Sequence, residues 1–125
     1  MSAAAEKARA QAIGLDLLDR PIAFHRCLVP IAGSVAGAVF LSQLIYWSKR
    51  SSQGDGSIYK TRTEWEEETG LGRLEQEAVR RVLREAGVLV EMKKGIPCRL
   101  YFKLQANKLA SLLESDNQEC WNPTS

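Results

Sequence analysis

The chain has 125 residues, of which 45% are hydrophobic and 26% charged, and its formal net charge is +2. These values are ordinary for a soluble globular protein and predict one domain with extensions, although a charge of +2 is low for a DNA-binding protein. The 3 cysteines form no C-x-x-C pair and His25 is the single histidine, which argues against a disulfide scaffold or a metal site and predicts reduced thiols in the cytoplasm.

Residues 1–19 form a predicted N-terminal extension. The segment from Ser2 to Asp19 is rich in alanine and is expected to be helical, with Ile13, Leu17 and Leu18 as an apolar stripe that can pack on the domain or on a second copy. The segment lacks the apolar core of a secretory signal, so we expect no export.

The next segment holds the one pair of residues to consider for catalysis. Ile22 to Val29 reads as an extended piece, in which His25 and Cys27 would point to the same face. A catalytic dyad also needs an orienting group and a pocket, so we interpret the pair as a half-buried imidazole near a core thiol. The chain also lacks a G-x-x-x-x-G-K-S/T phosphate loop and a G-x-S-x-G motif. We therefore expect no enzymatic activity and no cofactor.

The run from Cys27 to Ser48 contains no charged residue and is long enough to span a bilayer, which needs about 20 residues. It also contains a G-x-x-x-G pattern that begins at Gly33. Breakers and a polar mid-segment, Ser42-Gln43, instead favour a helix from about Ser34 to Arg50 at the centre of a soluble domain. A membrane span is the alternative, and we expect no membrane partner.

A polar loop, Ser51 to Ser57, is predicted to be a flexible connection, and Ile58-Tyr59-Lys60 can add a short strand to a following sheet. A helix then begins at Thr63, where T-x-x-E predicts a capping box with Glu66, and it ends at Thr69-Gly70. Residues 70–72 form a Gly-Leu-Gly turn, and a second helix is predicted from Arg73 to Ala86.

The second helix has two distinct sides. Its apolar residues recur at spacings of three and four, which is typical of a buried helix face; they are Leu74, Ala78, Val79, Val82, Leu83 and Ala86. The other side carries Arg73, Glu77, Arg80 and Arg84.

The residues after Gly87 alternate with a period of two, which predicts two strands. Val88, Val90 and Met92 are expected on one face of the first strand, and Leu100, Phe102 and Leu104 on one face of the second. Lysines and an arginine flank the loop between the strands, so the predicted hairpin has a basic tip.

This order of elements predicts a mainly α-helical domain with a small antiparallel β-wing, a winged helix-turn-helix, spanning residues 20–114. An arginine-bearing helix beside a basic hairpin suits double-stranded DNA, because a helix fits the major groove while lysines meet phosphates. The predicted DNA-contacting residues are Lys60, Arg62, Arg73, Gln76, Arg80, Arg84, Lys93, Lys94 and Arg99. The alternative is a solvated lattice of weak salt bridges around Glu77.

The first motif helix is strongly acidic and would be repelled by phosphates, so we expect it to face away from DNA or towards a protein partner. A closing helix is predicted from Asn107 to Glu114, and residues 115–125 read as a loose tail. Apolar stripes in the two terminal helices predict a homodimer.

Three segments resemble one known family: LSQLIYWSKR, WEEETGL and REAGVLVEMKKGIPCRLYFKL. They are similar to the winged-helix N-terminal domain of replication proteins carried by bacterial prophages and plasmids, over about Arg20 to Leu113. The resemblance implies a double-stranded DNA-binding module in origin recognition or helicase recruitment, with Arg73, Gln76, Arg80 and Arg84 in the recognition helix. Such replication proteins usually continue into a second domain, so the chain is either a fragment or a stand-alone relative.

Two functions from different classes follow. The first is a DNA-binding protein in replication initiation or its regulation. The second is a phage-encoded adaptor or inhibitor that holds a host protein through the acidic helix or the N-terminal helix.

Overall fold

The computed structural model describes the backbone of residues 22–120 and the side chains of residues 22–115. The predicted helix within residues 1–19 and the last five residues of the predicted tail lie outside this part of the chain. The described part contains five helices and a small three-stranded antiparallel sheet. It therefore agrees with the prediction of helices accompanied by a small antiparallel sheet.

The helices and strands follow one another in a simple order. After a 3₁₀ turn at Arg26–Leu28 come α1 (Val29–Ala32), α2 (Val35–Ser48), β1 (Ile58–Tyr59), α3 (Arg62–Thr69), α4 (Arg73–Glu85), β2 (Leu89–Lys94), β3 (Arg99–Leu104) and α5 (Ala106–Cys120). The prediction of an extended segment over residues 22–29 is thus wrong from Arg26 onwards, where a 3₁₀ turn and then α1 begin. Pro30 favours this helix because proline suits the first turn of a helix. His25 and Cys27 are both exposed, so the predicted half-buried imidazole and core thiol are also wrong.

The central helix α2 was predicted nearly in full, and its side chains form much of the core. Phe40, Leu41 and Leu44 are fully buried, and the Ser34 hydroxyl caps the helix by accepting a hydrogen bond from the Gly37 amide at 2.9 Å. A side chain at Gly37 would come within 2.7 Å of Ala32, so this glycine lets α1 and α2 pack closely. Within residues 22–120, no single helix has both the length and the apolar character to cross a membrane; Arg26–Ala32 and Val35–Ser48 meet that test only together, across a 110° bend.

An aromatic cluster joins the helices to the sheet. Trp65 of α3 stacks on Phe40 of α2 with ring centroids 4.0 Å apart, and both rings pack against Phe102 of β3 at 5.6 and 6.3 Å. All three side chains are at most 2% exposed. Large apolar side chains buried this completely stabilise a fold by about 1.5–3 kcal/mol each, so this cluster anchors α3 to the domain.

The sheet has the strand order β1-β3-β2, with both pairs antiparallel. In register, Phe102 lies opposite Ile58 on one side and Glu91 on the other. Because opposed residues share a face, the inward face of β2 carries Leu89 and Glu91 rather than the predicted Val90 and Met92. The inward set predicted for β3 is consistent with the burial of Phe102.

The C-terminal helix α5 runs to Cys120, beyond its predicted end at Glu114, so the first part of the predicted tail is helical. Leu109 is buried, and Leu112 and Leu113 pack against the core. Because these leucines pack within the domain, this apolar stripe is not available for the predicted homodimer contact. The other stripe lies outside the described residues.

Candidate nucleic-acid interface

The turn between α3 and α4 is held by a residue that the sequence placed in the DNA interface. The Gln76 side chain is buried, and its Nε2 donates to the carbonyl oxygens of Leu71 at 2.8 Å and Arg62 at 3.1 Å. Gly70 has φ 77°, the left-handed conformation that ends α3. The structure thus gives Gln76 a structural role, because its amide joins the two helices, and its predicted contact with DNA stays a prediction.

The helix α3 begins earlier than predicted. Thr61, not Thr63, is the N-cap: its hydroxyl accepts from the Glu64 amide at 3.1 Å, and the Glu64 carboxylate accepts from the Thr61 amide at 3.1 Å. The capping box thus uses the T-x-x-E that starts at Thr61, and Arg62 becomes the first helical residue. This shift places Arg62 at the N-terminus of α3, where it is exposed.

Two of the predicted DNA-contacting arginines are bound to one carboxylate. Glu91 on the inward face of β2 accepts a hydrogen bond from the Arg80 Nε at 3.1 Å, and it also forms ion pairs with the Arg80 and Arg84 guanidinium groups. Burial alone would raise the pKa of Glu91, but the hydrogen bonds from both arginines outweigh burial and hold the pKa below its usual range. Arg80 is therefore half-buried and held, whereas the Arg84 side chain stays 44% exposed.

The outward face of α4 differs from its prediction. Leu74 is 78% exposed rather than buried, because it lies about 160° around the helix from Gln76, at the centre of the exposed face. Arg73 pairs with Glu77 in an exposed contact at 3.2 Å. Arg81, which the sequence analysis did not select, is exposed near Leu74 and forms no ion pair with any described residue.

Lys60 does not present its charge to solvent. Its ammonium forms an ion pair with Glu68 and lies 4.4 Å from the ring centre of Trp47 and 4.8 Å from that of Trp65. Burial lowers the pKa of Lys60 to about 8, against the opposing effect of the Glu64 carboxylate. Lys60 is thus paired within the protein, and its predicted contact with phosphate stays a prediction.

The hairpin lysines behave differently from one another. Lys94 reaches back to the preceding loop, where its Nζ lies 3.3 Å from Asp55 and 3.1 Å from the Ser57 hydroxyl. Hydrogen bonds from the Ser57 side chain and amide, with a smaller effect of Lys94, hold the pKa of Asp55 well below its usual range. The loop that the sequence suggested would be flexible is thus tied to the hairpin. Lys93 is exposed, and neither it nor Arg99 pairs with a carboxylate of the described residues.

A cleft of about 260 Å³ lies between the start of α3, the side of α4 and β3, and we call it the arginine cleft. Five of the nine predicted DNA-contacting residues line it: Lys60, Arg62, Gln76, Arg80 and Arg99. No aspartate or glutamate is among its lining residues, although Arg80 is paired with Glu91 and Lys60 with Glu68 next to it. Arg62 and Arg99, which pair with no carboxylate of the described residues, leave this concave surface able to bind an anionic group with several oxygens, such as a phosphate.

A second depression of about 400 Å³ adjoins the arginine cleft, and we call it the tyrosine groove. The aromatic and arginine side chains that line it are Trp47, Arg50, Tyr59, Arg99 and Tyr101. No role was predicted for Tyr59 and Tyr101, although alternation along the strands places both tyrosines on the face opposite to the inward Ile58 and Phe102.

Searches among protein-family models, characterised proteins and solved structures find no match to the chain. Across the described residues, no group of three or more His, Cys, Asp or Glu side chains is placed to hold a metal ion. The function must therefore be argued from the surface itself.

Proposed function

We propose that the chain is a winged helix-turn-helix protein that binds double-stranded DNA, with α4 in the major groove and the β2–β3 hairpin as the wing. The order α2, β1, α3, α4, β2, β3 and the sheet order β1-β3-β2 support this assignment. So does the three-residue turn between α3 and α4, which Gln76 fixes.

The observation that carries the proposal is the arginine cleft. Arg62, Arg80 and Arg99 come from three separate elements and line one cleft, and Arg62 and Arg99 pair with no carboxylate of the described residues. Phosphate contacts of this kind supply most of the affinity of a DNA-binding protein and fix its orientation on the duplex. A phosphate in the cleft would lie at the N-terminus of α3, where the helix dipole also favours negative charge.

The exposed face of α4 is the part of the surface that would meet base edges. Arg73, Arg81 and Arg84 are exposed there, and an arginine can bind guanine through two hydrogen bonds. Leu74 and Ala78 are exposed beside Arg81 and can contact thymine methyl groups. An α-helix of about 10–12 Å diameter fits the major groove, which is about 12 Å wide.

A role in replication initiation or its regulation, on a bacterial prophage or plasmid, is the finer part of the proposal. It is supported by the resemblance of the segments around α2, α3 and the hairpin to replication proteins. A helicase-recruitment role would add a host replication protein as a second partner.

The competing function is a protein-binding adaptor, and one observation favours it. The exposed face of α4 carries as many carboxylates, Glu75, Glu77 and Glu85, as exposed arginines. Glu66 and Glu67 add further exposed negative charge on α3. Because its positive and negative charges balance, this face of α4 attracts phosphate only weakly. The arginine cleft therefore has to supply the attraction for DNA.

The test compares duplex binding of two matched variants by fluorescence anisotropy at a fixed low salt concentration. Replacing Arg62 and Arg99 by alanine should weaken binding of a random-sequence duplex by about tenfold or more, because two phosphate contacts are lost. Replacing Arg26, an exposed arginine outside the cleft, should change it less than twofold. Equal affinity of the Arg62/Arg99 variant and the unmodified chain would contradict the proposal.

A further inference from the structure

The outer face of the sheet carries a second surface, centred on two tyrosines. Tyr59 of β1 lies directly opposite Tyr101 of β3, with ring centroids 5.8 Å apart. Their neighbours in register, Ile58 and Phe102, point into the core, so the two tyrosines stand on the face away from it. Tyr59 is 41% exposed, which leaves part of its ring accessible.

Cations accompany these rings. The Arg99 guanidinium lies 4.9 Å from the centre of the Tyr59 ring, and the Lys94 ammonium lies 4.6 Å from that of Tyr101. Arg50 lines the same groove from the end of α2 and, within the described residues, forms no ion pair. Aromatic rings alternating with cations are the combination that binds single-stranded nucleic acid, in which bases stack on the rings and phosphates meet the charges.

The groove also contains carboxylates, which decide how a nucleotide can lie in it. Glu64 is bonded to the Thr61 amide and Glu68 is paired with Lys60, so both are already held by the chain. Both carboxylates disfavour a phosphate beside them. The carboxylates and the arginines are both accommodated when the base lies within the groove and its phosphate lies near Arg50 or Arg99.

The groove is also continuous with the arginine cleft. Tyr59, Lys60 and Arg99 line both depressions. A strand whose phosphate occupies the cleft can therefore place a neighbouring base against Tyr59 without leaving the protein surface. The volume of about 400 Å³ is within the range of about 300–1,000 Å³ usual for small-ligand sites.

From these observations we propose that the tyrosine groove is a binding site for single-stranded nucleic acid, in which unpaired bases stack on Tyr59 and Tyr101. This site goes beyond duplex binding, since stacking needs bases that are out of the double helix. It would give the protein a preference for melted or single-stranded stretches beside the duplex that it holds.

The test measures anisotropy of a fluorescein-labelled oligothymidine of about 12 nucleotides with the unmodified full chain and with single variants. Tyr59→Ala and Tyr101→Ala should each weaken binding about 5- to 150-fold, which corresponds to about 1–3 kcal/mol per stacked base. Tyr59→Phe should keep the affinity, because stacking does not need the hydroxyl. Phe24→Ala is the matched control, since Phe24 is also 41% exposed but lies outside the groove.

A random duplex is measured with the same proteins, so that this site can fail or succeed independently of the duplex site. Duplex affinity should change less than twofold in Tyr101→Ala, because Tyr101 does not line the arginine cleft. Absence of oligothymidine binding by the unmodified chain at about 50 mM salt, full binding by both alanine variants, or an equal loss for duplex and single strand in Tyr101→Ala would each overturn the proposal.

A second measurement covers the case in which an alanine variant does not fold. Oligonucleotides that contain 5-iododeoxyuridine are photo-crosslinked to the unmodified chain, and the modified peptides are identified by mass spectrometry. Crosslinks at Tyr59 or Tyr101 support the site, whereas crosslinks confined to α4 overturn it.

Discussion

Glu91 in β2 binds Arg80 in α4, with 3.1 Å between the Glu91 Oε1 and the Arg80 Nε, and the same carboxylate also pairs with Arg84. Glu91 thus fixes the position of α4 relative to the β2–β3 hairpin. Arg80 and Arg84, which the sequence predicts as DNA contacts, therefore also stabilise the packing of α4 on the hairpin.

The first prediction is that Glu91→Gln destabilises the domain by about 1.5–3 kcal/mol, the usual contribution of hydrogen bonds to charged groups. The Glu91 side chain is only 13% exposed, so water cannot fully replace its role for Arg80. Urea unfolding followed by circular dichroism at pH 7 measures the loss. Glu85→Gln, an exposed residue of α4, serves as the control and should change stability by less than about 0.5 kcal/mol.

The same pair predicts a pH dependence. Because the pKa of Glu91 in the folded chain is below its ordinary value of 4.5, its contribution is complete above pH 4.5 and is lost as pH falls through the folded pKa. The difference in unfolding free energy between the unmodified chain and Glu91→Gln should therefore be constant from pH 7 to about pH 5 and shrink below that. A difference that stays constant down to pH 3 would show that the carboxylate is not held as described.

A second prediction concerns the start of α3. Thr61→Ala should cost about 0.5–2 kcal/mol of stability, because it removes the hydroxyl that caps the helix. Thr63→Ala changes the same residue type two positions along the chain, within the exposed helix, and should be nearly neutral. Thermal unfolding of both variants distinguishes the two possible caps, and a larger loss for Thr63→Ala would place the cap where the sequence alone suggested.

A third prediction concerns Gln76 and Leu74, two residues of α4 whose burial is the reverse of that expected from the sequence. Gln76→Ala should destabilise the domain by about 1–3 kcal/mol, since two carbonyl groups lose their shared donor. Leu74→Ala should cost less than about 0.5 kcal/mol, because the leucine is 78% exposed. Chemical unfolding of the two variants tests this, and a costly Leu74→Ala with a neutral Gln76→Ala would mean that α4 is rotated.

A fourth prediction uses the contact between Asp55 and Lys94. Asp55→Asn removes a charge that holds the lysine, so duplex binding should strengthen, and the slope of log affinity against log salt should steepen by up to about 0.9. The same substitution in a Lys94→Gln background should not steepen the slope. An identical effect in both backgrounds would mean that Lys94 does not become a phosphate contact.

Much of the fold was accessible from local patterns. The burial of α2 followed from its uncharged run, the turn at Gly70 from its glycines, and the hairpin from its alternation. The cap at Thr61 was missed because T-x-x-E occurs twice in this stretch, and the spacing does not tell which copy starts the helix.

The partners of the candidate-site residues could not be predicted for a common physical reason, which is that they are distant in sequence. Whether Arg80 is free depends on Glu91, and whether Lys60 is exposed depends on Trp47 and Glu68. The register of β2 was misread because Glu91 faces inward, and only its pairing with arginines makes that position tolerable. Long-range pairs of this kind leave no periodic signal.

The most direct measurement of the central claim is the salt dependence of duplex binding by the unmodified chain. Affinity for a random-sequence duplex of about 20 base pairs is measured by anisotropy between about 50 and 200 mM salt. A protein that neutralises several phosphates should give a straight log–log plot with a slope of about −0.9 for each, so contacts through the arginine cleft and the hairpin predict a slope of about −3 or steeper. Absence of binding at 50 mM salt, or an affinity that does not change with salt, would contradict DNA binding.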